Sequence, residues 1–94
     1  MKFEWDENKN KLNQIKHMLP FEEVIEIFDH PRLDSIDRRK VYGEKRVMSI
    51  GKIGDVIVVA VVHTKRGNRI RIISARTANR KERRRYYAFI ESAA

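Results

Sequence analysis

Between residues 66 and 85 the sequence sets nine cations, Arg66, Arg69, Arg71, Arg76, Arg80, Lys81, Arg83, Arg84 and Arg85, against one acid, Glu82. A guanidinium offers a planar fork of donors and stays charged at any working pH, so side chains of this kind suit phosphate oxygens. They need not share one task. Arg76 ends an alternating stretch, "RIRIISAR", with Ser74 two residues before it on the same face, whereas Arg80 to Arg85 occupy the first turns of a helix. Cations in a first turn oppose the helix dipole, at about 0.3 to 1 kcal/mol per exposed charge. A bound anion would offset this, and so would solvent screening together with Glu82; both remain open. Arg66 lies beside Gly67 in a hairpin turn, either exposed there or reaching toward the end of the sheet that carries Arg76.

The wider charge distribution favours a nucleic-acid surface. The chain has 94 residues and a net charge of +8, but residues 1–37 carry five Lys/Arg and nine Asp/Glu, net −4, while residues 38–94 carry sixteen and four, net +12. Lys and Arg displace counterions from phosphates, giving binding that weakens with salt. With 41% apolar and 36% charged residues, one small globular domain over residues 1–94 is expected. The longest apolar run, "VIVVAVV", is too short to span a bilayer. The acidic start "MKFEWDENKNK" is unlike a secretory signal, and without cysteines there is no disulfide framework and no thiolate metal site, so a cytoplasmic protein is expected.

These residues need a scaffold. "KFEW" alternates as a short strand, and Asp6 caps a mostly polar helix to His17, in which Leu12 and Ile15 are the expected apolar anchor and Asn13, Lys16 and His17 turn to solvent or a cleft. After Pro20, "FEEVIEIF" spaces Phe21, Val24, Ile25 and Phe28 as a helical face with Glu22, Glu23 and Glu26 opposite. His30 and Pro31 end that helix, and "DHPRLDSIDRRK" is expected to be a polar connection. From Val41 the pattern is strands: "KRVMSI", a turn over residues 51–54, "DVIVVAVVHT", a turn over residues 65–68, and "RIRIISAR". Connections this short predict an antiparallel meander with residues 55–64 central. Asn79 and Glu82 have capping-box spacing and open a last helix that packs Tyr86, Phe89 and Ile90 on the sheet. The expected fold is α+β, in the order β-α-α-β-β-β-α, with about four antiparallel strands, two N-terminal helices and one C-terminal helix.

The stretches "FEWDENKNKLNQIKH", "FEEVIEIF", "YGEKRVMSIG", "VVHTKRGNRIRIISAR" and "ANRKERRRYY", in this order, resemble the BrnT family of toxins over most of the chain. The resemblance implies a RelE-like architecture and a small ribonuclease, the toxin half of a type II toxin-antitoxin pair. It also implies a BrnA-type DNA-binding antitoxin as partner, by analogy in a two-plus-two heterotetramer that binds operator DNA through the antitoxin. The family usually follows the histidine with glycine and opens the second helix with a Ser or Asp cap, where this chain has Met18 and Pro20.

A small ribonuclease working without metal needs a base for the 2′-hydroxyl, cations for the phosphoryl oxygens and an acid for the departing 5′-oxygen. Arg66 and Arg76 are the candidate phosphate clamps. Lys16 and His17 match the family's Lys-His pair, and histidine is the residue type suited to proton transfer near neutral pH. A histidine at a helix C-terminus also commonly binds end carbonyls. Glu44 matches the family too, as a secondary candidate that alternatively pairs with a neighbouring cation. Arg71, Arg80, Lys81, Arg84, Arg85 and Tyr86 are the candidate RNA contacts, although aromatics starting an apolar helical face are more often core. Trp5, His30 and His63 are expected to be packing or turn residues. No cofactor is expected, and closely spaced carboxylates or His pairs for a metal are lacking in the basic half. A non-catalytic module gripping nucleic acid or an acidic partner through the same basic face is the alternative.

Overall fold

A computed structural model describes residues 1–38 and 43–93, with the side chain of residue 93 outside the description. Val41, where the strand pattern begins in the sequence, lies outside the described residues. The elements are β1 (Lys2–Trp5), α1 (Glu7–His17), α2 (Phe21–Val24) continuing as a tighter 3-10 turn over Ile25–Asp29, β2 (Leu33–Ile36), β3 (Arg46–Ile53), β4 (Ile57–Arg66), β5 (Arg69–Thr77) and α3 (Arg80–Ala93).

The α+β class and the three helices agree with expectation, but the sheet has five strands and is mixed, in the order β1-β5-β4-β3-β2. β3, β4 and β5 form the expected antiparallel meander around a central β4. β1 adds to its edge in parallel, with Phe3 opposite Ile70 and Trp5 opposite Ile72. The fifth strand, β2, lies in what the sequence suggests is a loop. It pairs antiparallel with β3, Leu33 opposite Ile50, and is largely exposed, so backbone pairing rather than burial defines it.

Two packing layers flank the sheet. Phe21, Val24, Ile27 and Phe28 cover one face, against Val59, Val61, Ile72 and Ala75. Tightening to three residues per turn brings Ile27 inward in place of Ile25, so the buried spacing is i, i+3, i+6. Trp5 packs edge-on against Phe21 as expected, at 6.0 Å. On the opposite face α3 sets Tyr86 and Ile90 against Ile50, Val58 and Ala78. Gly51 lies inside β3, paired opposite Val59, rather than in the turn, and a glycine suits it because Ile27 crosses closely: a Cβ there would come within 2.7 Å of the Ile27 Cβ. Gly51→Ala is expected to destabilise the protein by about 1–3 kcal/mol through overpacking, seen as a lower melting temperature with cleavage by the remaining folded protein unchanged.

Helix α1 reverses the expected orientation. Leu12 and Ile15 are 65% and 81% exposed, while Asn10 and Asn13 are buried. The asparagines face inward because both ends of each carboxamide have work there. Asn10 accepts from the Phe21 N–H at 2.8 Å and donates to Glu22 at 2.8 Å. Asn13 donates to the Leu19 carbonyl at 2.9 Å and accepts from the Ala75 N–H at 3.1 Å. β1 ends opposite Ile72, so Asn13 completes the β5 edge where strand pairing stops. The Asp6 cap forms as expected, accepting from Asn8 and Lys9. Met18 ends the helix at a φ of 58°, the left-handed position for which glycine is best suited, which accounts for the family's usual glycine there.

Candidate active site

Strand β5 and the end of α1 bring three of the candidate residues to one place. Lys16, His17 and Arg76 line a cavity of about 220 Å³ with Ser74, and its apolar wall is Met48, Ala60, Val62 and Ala75. Asn13 sets the geometry: it lies one turn before His17, and its bond to Ala75 fixes the strand residue preceding Arg76.

Arg76 is anchored in a way that the sequence conceals. Its Nη1 donates to Glu82 Oε1 at 2.8 Å and its Nη2 to Oε2 at 2.9 Å, a bidentate pair, while the Arg76 side chain stays 38% exposed. Glu82 has a second task. Its carboxylate accepts from the Asn79 N–H at 2.9 Å while its own N–H donates to Asn79 Oδ1 at 2.8 Å, completing the capping box that opens α3. The Arg76 hydrogen bonds hold the Glu82 carboxyl below the usual carboxylate range, against the effect of its burial. The crowded cations of α3 are thus offset in part by the single acid of the run, and that acid fixes the guanidinium at the cavity. The clue in the sequence was its solitary position.

Glu44 and Arg66 are brought to each other, and away from this cavity. Arg66 Nη2 donates to Glu44 Oε1 at 3.2 Å, and Arg46 Nε lies 3.5 Å from Glu44 Oε2. By strand alternation Arg66 shares the face of Ala60 and Val62, but Ala60 opposes Arg76 in register and Arg66 is six residues further, roughly 20 Å along the strand. Arg71 donates to Glu4 at 2.7 Å, directly across the β1–β5 ladder, where it joins the two strands.

Of the two readings of Tyr86, RNA contact and core residue of the last helix, the structure supports the core one. Tyr86 is 3% exposed and its hydroxyl donates to the Pro31 carbonyl at 3.3 Å, because the α3 face carrying it turns onto Ile50 and Val58. Its neighbour Tyr87 is 41% exposed and shares a surface groove with Arg80, Arg83 and Arg84. Arg80, Lys81, Arg84 and Arg85 are exposed as expected.

His63 is a packed histidine on the face covered by α2 and its 3-10 turn, edge-on to Phe28 at 4.9 Å with Nε2 2.7 Å from Ser49 Oγ; Ser49 also donates to Asp34. Burial lowers its pKa to about 4 from an ordinary 6.5, with the Asp34 charge opposing and Arg32 adding to the fall. The unfolded chain therefore takes up a proton that the folded chain refuses. This contribution to stability is complete above pH 6.5 and is lost as pH falls toward 4, at up to about 1.4 kcal/mol per pH unit. Melting temperatures should drop between pH 7 and pH 5, and drop less in His63→Gln; equal slopes would show that His63 is not the group responsible.

Residues 5–82 match the family model described as the ribonuclease toxin BrnT of type II toxin-antitoxin systems. The chain belongs to the BrnT family. It is a ribonuclease toxin of a type II toxin-antitoxin system, an RNA-cleaving enzyme by family membership. The fold is similar to the crystal structure of the Brucella abortus ribonuclease toxin BrnT, with a TM-score of 0.66 and 30% identity over 85% of this chain and 99% of that one. No curated protein matches the sequence of the toxin. Among the described residues, no helix of the toxin is long and apolar enough to cross a membrane.

Proposed function

We propose that the toxin cleaves RNA without a metal ion in the cavity between the end of α1 and strand β5. The observation that carries this reading is the convergence of Lys16 and His17 with an Arg76 held by Glu82. The 2′-oxygen attacks the adjacent phosphorus, the bond to the 5′-oxygen breaks, and the products are a 2′,3′-cyclic phosphate and a 5′-hydroxyl. Arg76 holds the phosphoryl oxygens as charge grows on them, and His17 and Lys16 divide the proton transfers: one draws the proton from the 2′-hydroxyl and the other, itself protonated, delivers one to the departing 5′-oxygen. Arg66, with Arg80, Lys81, Arg84 and Arg85, holds the flanking strand by its phosphates, so these residues set affinity and its salt dependence more than the rate of the chemical step. Arg71 belongs to the same basic half, but with Glu4 on its guanidinium its contribution is smaller.

In the cell this activity stops translation and growth in the cytoplasm, and a BrnA-type antitoxin neutralises it in a two-plus-two assembly that binds operator DNA through the antitoxin. Cleavage assays in excess chelator test the reading. Full activity is expected; loss of activity restored by a divalent ion would overturn the arginine mechanism. Production of the toxin alone is expected to arrest growth, and normal growth with abundant folded toxin would count against it.

A further inference from the structure

The outer face of α1 has the composition of a docking surface. Leu12, Ile15 and Met18 are 65%, 81% and 83% exposed, three of the eight exposed large hydrophobic side chains among the described residues. They lie on one short segment. The inward face of the same helix is built from Asn10 and Asn13, so the usual arrangement of an amphipathic helix is inverted. At 100° per residue, Leu12 and Ile15 form a ridge flanked by Lys9 and Lys16 on one side and Lys11 on the other, all exposed. Contiguous apolar patches rimmed by charge mark interaction sites. The ridge also adjoins the cavity, since Lys16 stands at its flank and Lys16 and His17 line the cavity wall.

We propose that this ridge receives an acidic, amphipathic segment of the antitoxin, which covers the cavity as it binds; this rests on the functional reading above. The lysine flanks select acidic partner residues, and Leu12, Ile15 and Met18 supply the apolar centre. A partner seated there masks Lys16 and His17 from RNA without entering the site, so neutralisation follows from docking alone.

The test titrates a purified BrnA-type antitoxin that neutralises the wild-type toxin into wild-type toxin and Leu12→Asp/Ile15→Asp, with Leu12→Ser/Ile15→Ser as the milder variant should the first lower the melting temperature. Antitoxin affinity is expected to fall by about 100-fold or more, the scale set by loss of central interface anchors. RNA cleavage by the free variant should stay within about twofold of wild type. Lys9→Glu/Lys11→Glu should slow association by about tenfold at low salt and much less at high salt. Wild-type antitoxin affinity in the aspartate variant would overturn the proposal. So would a wild-type toxin dimer that the variant splits while antitoxin affinity holds, which would assign the ridge to a second copy. A loss of cleavage with antitoxin binding intact would assign it to RNA. If wild-type toxin fails to cleave RNA, the functional reading falls, and the affinity comparison still decides the ridge.

Discussion

Arg76→Ala is expected to lower single-turnover cleavage by roughly 10² to 10³, equivalent to about 2.7 to 4 kcal/mol of lost transition-state stabilisation. RNA affinity should fall far less, because the other cations of the basic half still hold the strand. The substitution has a second consequence that must be separated from the first. It strips the buried Glu82 carboxylate of its bidentate partner, and an uncompensated buried charge lowers stability by up to about 3 kcal/mol. The double variant Arg76→Ala/Glu82→Gln removes that charge while keeping an acceptor for the Asn79 N–H, so it should recover much of the melting temperature and none of the cleavage. Recovery of cleavage along with stability would make Arg76 a structural residue. Arg76→Lys keeps the charge and loses the fork, so only partial activity is expected.

His17→Ala should lower the cleavage rate by roughly 10² to 10⁴, the range for a positioned proton-transfer group. The direction of transfer can be resolved with a substrate whose scissile 5′-oxygen is replaced by sulfur. A thiolate departs without protonation. If His17 is the acid, the variant should cleave the sulfur substrate nearly as fast as wild type does, while its defect on ordinary RNA remains. If His17 is the base, the defect should persist on both substrates, and the acid must then be sought in Lys16. A variant indistinguishable from wild type on both would remove His17 from the chemistry and leave it as a helix-end residue.

The elements that depend on local pattern were legible in the sequence: β3 to β5 from alternation, α3 from its capping box and apolar face, and the Asp6 cap of α1. What depends on long-range backbone partners was not. β2 has no apolar stripe to announce it, since Asp34, Ser35 and Ile36 are all exposed and only the ladder with β3 makes them a strand. The orientation of α1 runs against the rule that hydrophobicity decides which face of a helix is buried. Here unpaired N–H groups on Phe21 and Ala75 favour asparagines over aliphatics. At the site, residue types pointed to His17 and Arg76 and the family resemblance to Lys16, yet the Arg76–Glu82 pair joins a strand end to a helix that begins four residues later, and no periodicity relates the two. The placement of Glu44 and Arg66 with each other was equally hidden, because it depends on the register between β3 and β4.

The most direct measurement compares two variants for single-turnover cleavage of one RNA, with saturating protein and excess chelator: Lys16→Ala/His17→Ala at the cavity, and Glu44→Ala/Arg66→Ala at the far end of the same sheet face. The cavity variant is expected to lose at least about 10²-fold in rate, the lower bound for a positioned proton-transfer group. The distant variant should cleave close to the wild-type rate once RNA binding is saturated. The reverse order, with rapid cleavage by the cavity variant and a dead Glu44→Ala/Arg66→Ala, would place the chemistry at the hairpin end of β4 and contradict the assignment.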